Sequence, residues 1–398
     1  MSADAADKEH DVVICGGGII GASIAYHLTQ RGVQPLVVER SEVGAAASGK
    51  AGGFLARSWG DGSPTQQLHH VSFDLHAELA SRLGVTSYRK ISTLNVRTRP
   101  NGARDAMPPP ADWIDGDEVA SATLMDTNTA QVTPLELTTK LMEAAVAGGA
   151  VVRRGVCTGV DTSEGGAVQA VRVDGVPVRC RRVVVAMGPW SVLAEDWFGI
   201  PVPLEGIKSA SVVYRGDALR AAVSAAPYAL FCNEDPRYGT HLEVYPRSNG
   251  EVYICGIGGS DYVSGARLRA GGDTESQECV AADPARVAAA RAAFAGISRT
   301  AGGGEPDVRQ ACMRPCAPDA LPIMGAVPGF EGAYLACGHN CWGICWAPVT
   351  GKAMAELLVD GAASCVDLSA FSPSRFLPRG ARGGRGRKQG AAAVGEQW

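Results

Sequence analysis

Short apolar runs and an intervening helical pattern open the chain. Residues 12–15 are apolar and predict a buried strand, and the apolar residues 36–38 predict a second strand. Residues 22–30 between them are good helix formers whose apolar positions recur on one face. Gly32 stands where a glycine commonly ends a helix. The pattern therefore predicts a strand–helix–strand unit with two parallel strands.

The rest of the pattern alternates between helical and extended segments. Amphipathic or alanine-rich periodicity predicts helices over 65–83, 134–147, 284–295 and from Pro348 to 361. Apolar runs and alternation predict strands over 92–96, 150–153, 167–173, 182–186, 209–214, 241–246 and 251–256. Asn249-Gly250 predicts a hairpin turn between the last two strands, and a loop rich in proline and glycine is expected over 100–110.

A glycine motif joins the first strand to the first helix. Residues 16–21, GGGIIG, fit the pattern G-x-G-x-x-G. Gly16 permits a tight turn, Gly18 lets the backbone approach a pyrophosphate, and Gly21 lets the helix and strand pack closely. Glu39 ends the second strand and is placed to accept hydrogen bonds from an adenosine ribose. The motif predicts a dinucleotide site; the alternative is a βαβ unit with a glycine turn and no ligand.

A second run of small residues follows at once. Residues 45–53 read AAASGKAGG and include Ser48 and Lys50. Small residues are needed where the backbone passes close to a ligand. The position directly after the second strand favours contact with a cofactor over the alternative of a flexible glycine loop.

Composition narrows the class of protein. The 398 residues allow two domains, and 46% hydrophobic with 20% charged residues is ordinary for a globular protein. A net charge of −4 argues against nucleic acid as a partner, and the lack of an 18-residue apolar run argues against membrane insertion. Twelve cysteines without an export signal suggest reduced thiols and a cytoplasmic location.

The C-terminal end differs from the rest of the chain. From 373 to 398 it carries six basic residues and one acidic residue among glycines and alanines. Such a composition predicts a disordered basic tail. A passive solvated tail is favoured over an RNA-binding arginine–glycine segment.

Four separated stretches agree with one family. They are GGGIIG with Glu39, SGKAGG at 48–53, VVVAMGPWS at 183–191, and RPCAPDALPIMG followed by GHNCWGICWAPVTGKAMAEL from Arg314 onward. In that order, and over about residues 10–372, they resemble the D-amino-acid-oxidase superfamily of FAD enzymes, which includes glycine oxidase and sarcosine oxidase. SGKAGGFLA and GHNCWG are most similar to a plant and fungal group of FAD oxidoreductases whose substrates are not settled.

The resemblance implies the fold and the domains. It implies an α/β fold with a Rossmann-like FAD-binding domain, built on a mixed central sheet with helices. It also implies an α+β substrate domain with an antiparallel sheet. The expected FAD-binding segments are 10–60, 134–200 and 301–372, and the expected substrate segments are 61–133 and 201–300.

The resemblance also implies FAD and two-electron oxidation of a C–N bond in an amine or amino acid. Flavin N5 would accept hydride, the imine would be hydrolysed, and oxygen or another acceptor would take the electrons. A catalytically weak flavoprotein with a partner-binding or trafficking role is the alternative, and an NAD-dependent dehydrogenase is a third reading. The helix after Pro348 would present its positive N-terminus to the flavin pyrimidine ring.

The motifs and the resemblance together assign a set of residues to the cofactor. These are Gly16, Gly18, Ile19, Ile20, Gly21, Glu39, Arg40, Ser48, Gly49, Lys50, Ala51, Gly52, Gly53, Cys157, Gly188, Trp190, Cys312, Gly338, His339, Cys341, Trp342, Gly343 and Ile344. His339 and Trp342 are expected beside the isoalloxazine ring. No metal is predicted, because Cys337, Cys341 and Cys345 lack the paired spacing of structural zinc sites.

Three residues are candidates for catalysis. In similar amino-acid oxidases the arginine matching Arg314 pairs with the substrate carboxylate; the alternative is a structural ion pair with Asp319. His241 matches the histidine of the glycine oxidase strand H-x-Y-x-x-P-R, and Glu243 replaces its tyrosine. Glu243 would favour a cationic substrate group or act as a base; the alternative is that His241 and Glu243 merely line the sheet edge.

Two features compared with sarcosine oxidase concern oxygen activation and covalent attachment of the flavin. The oxygen-activating lysine of sarcosine oxidase would fall near Ile254, so it is absent, and Lys50 or Lys208 would have to replace it. Cys312 has the spacing of the cysteine that joins covalently to flavin in that enzyme. An ordinary buried cysteine is the favoured alternative.

Overall fold

The computed structural model of the protein describes residues 9–99 and 108–378. The predicted loop over 100–110 lies mostly outside the described residues. In chain order the strands are β1 (His10–Cys15), β2 (Leu36–Glu39), β3 (Phe54–Ala56), β4 (Arg89–Lys90), β5 (Ser92–Thr98), β6 (Val119–Asp126), β7 (Thr129–Gln131), β8 (Val151–Arg154), β9 (Cys157–Thr162), β10 (Val168–Val173), β11 (Val176–Val185), β12 (Glu205–Tyr214), β13 (Tyr228–Cys232), β14 (Glu243–Pro246), β15 (Val252–Cys255), β16 (Asp261–Val263), β17 (Val308–Cys316), β18 (Ile323–Ala326) and β19 (Ala333–Cys337).

Helices connect and cover these strands. They are α1 (Ile19–Thr29), α2 (Ala47–Lys50), α3 (Gln66–Leu83), α4 (Pro134–Ala147), α5 (Ala194–Phe198), α6 (Asp217–Ala225), α7 (Gly265–Leu268), α8 (Pro284–Ile297), α9 (Arg299–Gly302) and α10 (Gly343–Asp360). The sequence signals at several ends are visible in the structure. Gly84 ends α3 with φ +63°, and the Asp283 side chain accepts a hydrogen bond from Ala285 N at the start of α8.

The first sheet carries the nucleotide-type unit. Its order is β18-β19-β11-β1-β2-β8, and β1, β2, β8, β11 and β19 run parallel. Strands β9 and β10 extend the sheet from β11 as an antiparallel ribbon. Helix α1 packs between α4 and α10 on one face, over a core that includes Ile14, Ile24 and Leu28. This parallel βαβ arrangement explains why the apolar runs of β1 and β2 are continuous rather than alternating.

The second sheet is largely antiparallel. Its order is β16-β12-β15-β14-β13-β5-β6, with β17 on the other edge of β12. Helix α8 covers one face, and the opposite face contributes residues to the cavity described below. Strand β17 belongs to this sheet, although the sequence assigned 301–372 to the FAD-binding domain. The predicted division into domains stays a prediction, and a three-stranded sheet, β3-β7-β4, lies outside both larger sheets.

The fold class prediction is confirmed, but several predicted boundaries are wrong. The strands predicted at 182–186 and 209–214 begin at Val176 and Glu205. Two further cases have a clear physical reason. Helix α10 begins at Gly343, and Pro348 lies inside it rather than at its start. Proline usually sits in the first turn of a helix, and the glycines and cysteines before it are weak helix formers, so the sequence rule placed the start five residues late. Residues Pro373–Phe376 form a 3₁₀ turn against the body, so the tail predicted from 373 cannot begin there. Residues 379–398 of that predicted tail lie outside the described residues.

Over the described ranges, 9–99 and 108–378, no helix combines the length and the apolar character needed to cross a membrane.

Candidate functional site

A cavity of about 460 Å³ lies between the first and second sheets. Its lining includes the glycine turn after β1, the end of β2, strands of the second sheet and the start of α10. The volume falls in the range of small-molecule sites. One cavity therefore brings together the predicted dinucleotide motif and the predicted catalytic residues.

The motif glycines are required by close backbone approaches. Gly16 has φ +110°, and a Cβ added there would lie 2.4 Å from the carbonyl oxygen of Ala186. A Cβ at Gly21 would lie 2.0 Å from the carbonyl oxygen of Gly16. These two glycines let α1 begin directly behind β1, so that the N-terminus of α1 faces the cavity.

Glu39 and Ser48 hold the glycine turn. The Glu39 carboxylate accepts hydrogen bonds from Gly17 N (2.7 Å) and Ser41 N (2.9 Å), and Ser48 Oγ accepts one from Ile19 N (2.9 Å). The sequence predicted only a ribose contact for Glu39. Because a carboxylate offers about four acceptor positions, Glu39 can hold the turn and still accept from a ligand hydroxyl.

The predicted cofactor residues divide into two groups. Those that line the cavity are Gly16, Gly18, Ile19, Ile20, Glu39, Arg40, Ser48, Ala51, Gly52, Gly53, Cys157, Gly188, Trp190, Cys312, His339, Cys341, Trp342, Gly343 and Ile344. Gly21, Gly49, Lys50 and Gly338 are not among the lining residues. The Lys50 ammonium instead donates to Gln277 Oε1 at 3.2 Å. The cofactor roles of all these residues stay predictions.

The start of α10 forms one wall of the cavity. His339, Asn340, Gly343 and Ile344 line it. His339 is buried, its Nε2 lies 3.1 Å from Thr350 Oγ1, and burial lowers its pKa to about 3, so the ring is neutral. Asn340 has φ +49°, and its buried Oδ1 has no hydrogen-bond partner among the described residues. An unpaired buried acceptor in a cavity wall is suited to a ligand donor.

Arg314 lies in the cavity on β17 and forms no ion pair with any carboxylate of the described residues. The alternative partner named from the sequence, Asp319, is paired with Arg375 at 2.8 Å. Burial opposes the charge of Arg314, but the nearby Cys341 thiol and Glu243 carboxylate raise its pKa overall. The structure thus leaves a cationic, planar donor group facing the cavity.

Glu243 begins β14 and lines the same cavity. It accepts hydrogen bonds from the Tyr245 hydroxyl and, at 3.4 Å, from the Cys255 thiol. Burial first, and the Glu243 charge second, raise the pKa values of both Tyr245 and Cys255, so both groups keep their protons. His241 lies just before the strand rather than on it; it is exposed and lines the cavity.

Apart from Trp342, sequence reasoning missed an aromatic wall. Phe54, Trp59, Phe231, Tyr245 and Trp342 line the cavity and pack on one another. Phe54 lies 5.1 Å from Trp59 and from Phe231, and 5.4 Å from Tyr245 in a stacked arrangement. Four different segments contribute these rings, so only the alternation of β13 and β14 could have signalled two of them.

A crossing segment, also missed, closes the cavity beside the glycine turn. Glu275, Ser276 and Gln277 line the cavity. Arg40 donates to Glu275 O at 3.2 Å, and Trp190 Nε1 donates to Thr274 O at 3.0 Å. Polar loop composition carried no signal for this contact, because it depends on the placement of the second sheet against the first.

The lysines and cysteines are placed as follows. Neither Lys50 nor Lys208 lines the cavity, and Lys208 is paired with Asp261 at 3.1 Å.

All twelve cysteines lie in the described part of the chain and are free thiols. Burial raises the pKa of Cys312, although Arg314 and Lys50 oppose the shift. The described residues contain no cluster of three or more His, Cys, Asp or Glu side chains able to hold a metal.

These features fit an extended ligand with phosphates, a ribose and a flat ring. A helix N-terminus suits the phosphates, Glu39 suits a ribose, and Asn340 Oδ1 lacks a donor. A Cβ added at Gly188, which lines the cavity with φ +58°, would meet no atom of the described residues within 4 Å. The fold and cavity therefore define a dinucleotide-binding enzyme of the α/β class.

Comparison with known families identifies the class. The family model described as FAD dependent oxidoreductase matches residues 11–357, and the chain belongs to that family. The predicted family is confirmed. The protein is a FAD-dependent oxidoreductase, and FAD is its cofactor.

Curated relatives and solved structures match this chain over nearly its whole length. A Schizosaccharomyces pombe protein, whose name gives an oxidoreductase without a substrate, is 26% identical over 403 residues, covering 93% of this chain and 99% of that protein. Glycine oxidase of Pseudomonas putida is 24% identical over 402 residues, covering 92% and 99%. The crystal structure of glycine oxidase from Geobacillus kaustophilus superposes with a TM-score of 0.73 at 22% identity, covering 93% and 100%. The structural likeness establishes the fold.

Proposed function

We propose that this enzyme oxidises the C–N bond of an amino acid, or of an amine that carries a carboxylate. When bound, FAD supplies the two-electron acceptor, which takes hydride from the carbon bearing nitrogen. Hydrolysis of the resulting imine then releases the carbonyl product together with ammonia, or with an amine when the substrate nitrogen is substituted. The single observation that carries the proposal is Arg314, a cavity-facing guanidinium without a carboxylate partner among the described residues.

Arg314 binds the substrate carboxylate in this proposal. A guanidinium offers a planar pair of donors that matches a carboxylate. The Asp319–Arg375 ion pair removes the acidic side chain nearest in sequence as a competitor. Substrate binding would therefore pair a charge that the fold leaves unpaired, and would fix the orientation of the carbon to be oxidised.

Glu243 binds the amino group. Its carboxylate already accepts from Tyr245 and Cys255, and its remaining acceptor positions are available to an ammonium. Hydride leaves more readily from a carbon next to a neutral amine, so a carboxylate that takes the ammonium proton assists the step. The protonated Tyr245 and Cys255 hold Glu243 in place without competing for that proton.

The aromatic wall receives the rest of the substrate. Phe54, Trp59, Phe231 and Trp342 offer apolar surface beside the charged groups. Apolar walls exclude water and strengthen the electrostatic contacts of Arg314 and Glu243. We therefore expect substrates with a large apolar or aromatic substituent to be oxidised in preference to glycine.

The described cavity lining contains no lysine, and this bears on which acceptor reoxidises the flavin. Arg40 and Arg314, but no lysine, are found among the described lining residues. Since the resemblance assigns oxygen activation to a lysine that this chain lacks near Ile254, we expect an acceptor other than oxygen to reoxidise the flavin faster.

A product assay tests the proposal. Purified enzyme is incubated with a panel of amino acids and of the matching amines without a carboxylate, in air and with an artificial electron acceptor. The proposal expects an oxo acid and ammonia or an amine from at least one amino acid, with much less product from its decarboxylated analogue. Failure of the whole panel would contradict the proposal and favour a catalytically weak flavoprotein.

A further inference from the structure

Pro348 interrupts the hydrogen bonding of α10 near the cavity. It lies in the second turn of the helix, and the helix continues through it from Gly343 to Asp360. Proline has no N–H, so the carbonyl of Ile344, four residues earlier, loses its usual partner. A buried carbonyl without a partner costs free energy. A proline inside a helix is also a usual cause of a kink.

Two side chains of α3 reach this interruption. His76 Nε2 lies 3.0 Å from the Ile344 carbonyl oxygen and 3.1 Å from that of Cys345. Ser72 Oγ accepts a hydrogen bond from Val349 N at 3.2 Å. Ser72 and His76 are one helical turn apart and lie on the same face of α3, so both meet α10 at Pro348.

The hydrogen-bond partners of His76 determine which of its ring nitrogens carries the proton. Carbonyl oxygens only accept, so Nε2 must carry a proton to bond them. The ring is buried and its Nδ1 has no partner among the described residues. Burial lowers the pKa of His76 to about 4, so the ring is neutral and its single proton stands on Nε2. The donor faces the Ile344 carbonyl, which Pro348 deprives of its helical partner, and the neighbouring Cys345 carbonyl.

The interrupted turn is part of the cofactor cavity. Gly343 and Ile344, at the start of α10, line it directly. A shift of this turn would move the positive helix N-terminus relative to the flavin. We propose that Ser72 and His76 are positioning residues of the FAD site: His76 supplies the donor that Pro348 removes, Ser72 accepts from Val349 N next to it, and together they hold the start of α10 against the cavity.

A double-mutant cycle on the holoenzyme tests the proposal. His76→Leu removes the donor, while Pro348→Ala restores the N–H that pairs with the Ile344 carbonyl. We expect His76→Leu to speed FAD release about ten-fold in the wild-type background and at most about two-fold in the Pro348→Ala background. His76→Gln, whose amide can donate, is expected to recover most of the loss.

Two measurements separate positioning from general stability. One is the rate of FAD loss after dilution, and the other is the flavin midpoint potential, which is expected to shift in His76→Leu and to return toward wild type in His76→Gln. Leu79→Ala is the matched control, because Leu79 is buried on α3 in the same core and makes no such hydrogen bond. It should lower the unfolding free energy and leave the potential unchanged.

Three results would overturn the proposal. They are equal effects of His76→Leu with and without Pro348, failure of His76→Gln to recover FAD retention, and a Leu79→Ala variant that shifts the potential as much as His76→Leu. The rescue by glutamine remains decisive if the Pro348→Ala protein does not fold. None of these readouts depends on the substrate.

Discussion

Arg375 donates from Nε to the Asp319 carboxylate across 2.8 Å, and this ion pair occupies the acidic residue nearest to Arg314 in sequence. Arg314 is consequently left in the cavity beside Glu243, with its positive charge unpaired among the described residues. A buried charge without a partner is costly, and such groups concentrate at functional sites. This relationship favours the proposed substrate-binding role of Arg314 over a structural ion pair with Asp319.

Gly21→Ala should abolish FAD retention. The added Cβ would lie 2.0 Å from the Gly16 carbonyl oxygen, so the glycine turn would have to move. Gly32→Ala is the matched control in the same βαβ unit, since its Cβ would meet no atom within 4 Å and only its φ of +77° is unfavourable, at about 1 kcal/mol. The FAD-to-protein ratio of each purified variant gives the answer. Equal FAD content in the two variants would count against the turn as the phosphate site.

Asn340→Gly should weaken FAD binding about three- to ten-fold, the effect of losing one hydrogen bond. Glycine tolerates the φ of +49°, so the change removes the amide without adding strain. Ala320→Gly, at another left-handed position outside the cavity lining, is the control and should leave the dissociation constant unchanged. Titration of FAD fluorescence measures both. Unaltered affinity in Asn340→Gly would show that its Oδ1 does not meet the cofactor.

FAD should be released when the protein is precipitated with acid. Cys312 lines the cavity, but burial raises the pKa of its thiol, so little of the reactive thiolate is present. The supernatant is expected to hold the yellow colour for the wild type and for Cys312→Ser alike. Colour in the wild-type pellet that disappears in Cys312→Ser would instead demonstrate covalent attachment.

The unfolding free energy should fall as the pH drops from 6.5 to about 4. Burial lowers the pKa values of His27 and His76 to about 4 and that of His339 to about 3, whereas an unfolded histidine titrates near 6.5. In that window the unfolded chain binds more protons, so acid favours unfolding. Each histidine contributes a slope of at most about 1.4 kcal/mol per pH unit.

Urea unfolding at several pH values measures this slope. His27→Leu removes one of the three groups, and since His27 is outside the cavity lining, the variant should flatten the profile without a change in FAD affinity. A wild-type profile that is level between pH 6.5 and 4 would be incompatible with these buried neutral histidines.

Local signals predicted the parts of the structure that local physics determines. The apolar runs of β1 and β2 and the glycines at 16–21 identified the βαβ unit, because each depends on neighbours in sequence. The start of α10 was misplaced because the helix continues through Pro348, where side chains of α3, more than 260 residues away in sequence, contact its backbone. No local rule contains such a contact.

The candidate site likewise combines residues that the sequence predicted with residues that only tertiary packing brings together. Motifs and the family resemblance predicted Arg314 and Glu243 as site residues, and both line the cavity. Trp59, Phe231 and the crossing segment at 275–277 could be recognised only from the packing of the two sheets. The second acceptor role of Glu39, toward Gly17 N, likewise depends on how β2 meets the glycine turn. Tertiary placement, not composition, decides these contacts.

Anaerobic flavin reduction tests whether Arg314 binds the carboxylate of the substrate. An amino acid from the substrate panel is mixed with wild-type enzyme and with Arg314→Lys, and the loss of flavin absorbance is followed. Arg375→Lys is the control for a guanidinium that pairs within the protein. We expect rapid bleaching in the wild type and in Arg375→Lys, and a roughly ten- to hundred-fold lower rate at subsaturating substrate in Arg314→Lys. Equal rates in all three proteins, or no bleaching of folded, FAD-loaded wild type by any amino acid or amine, would contradict it.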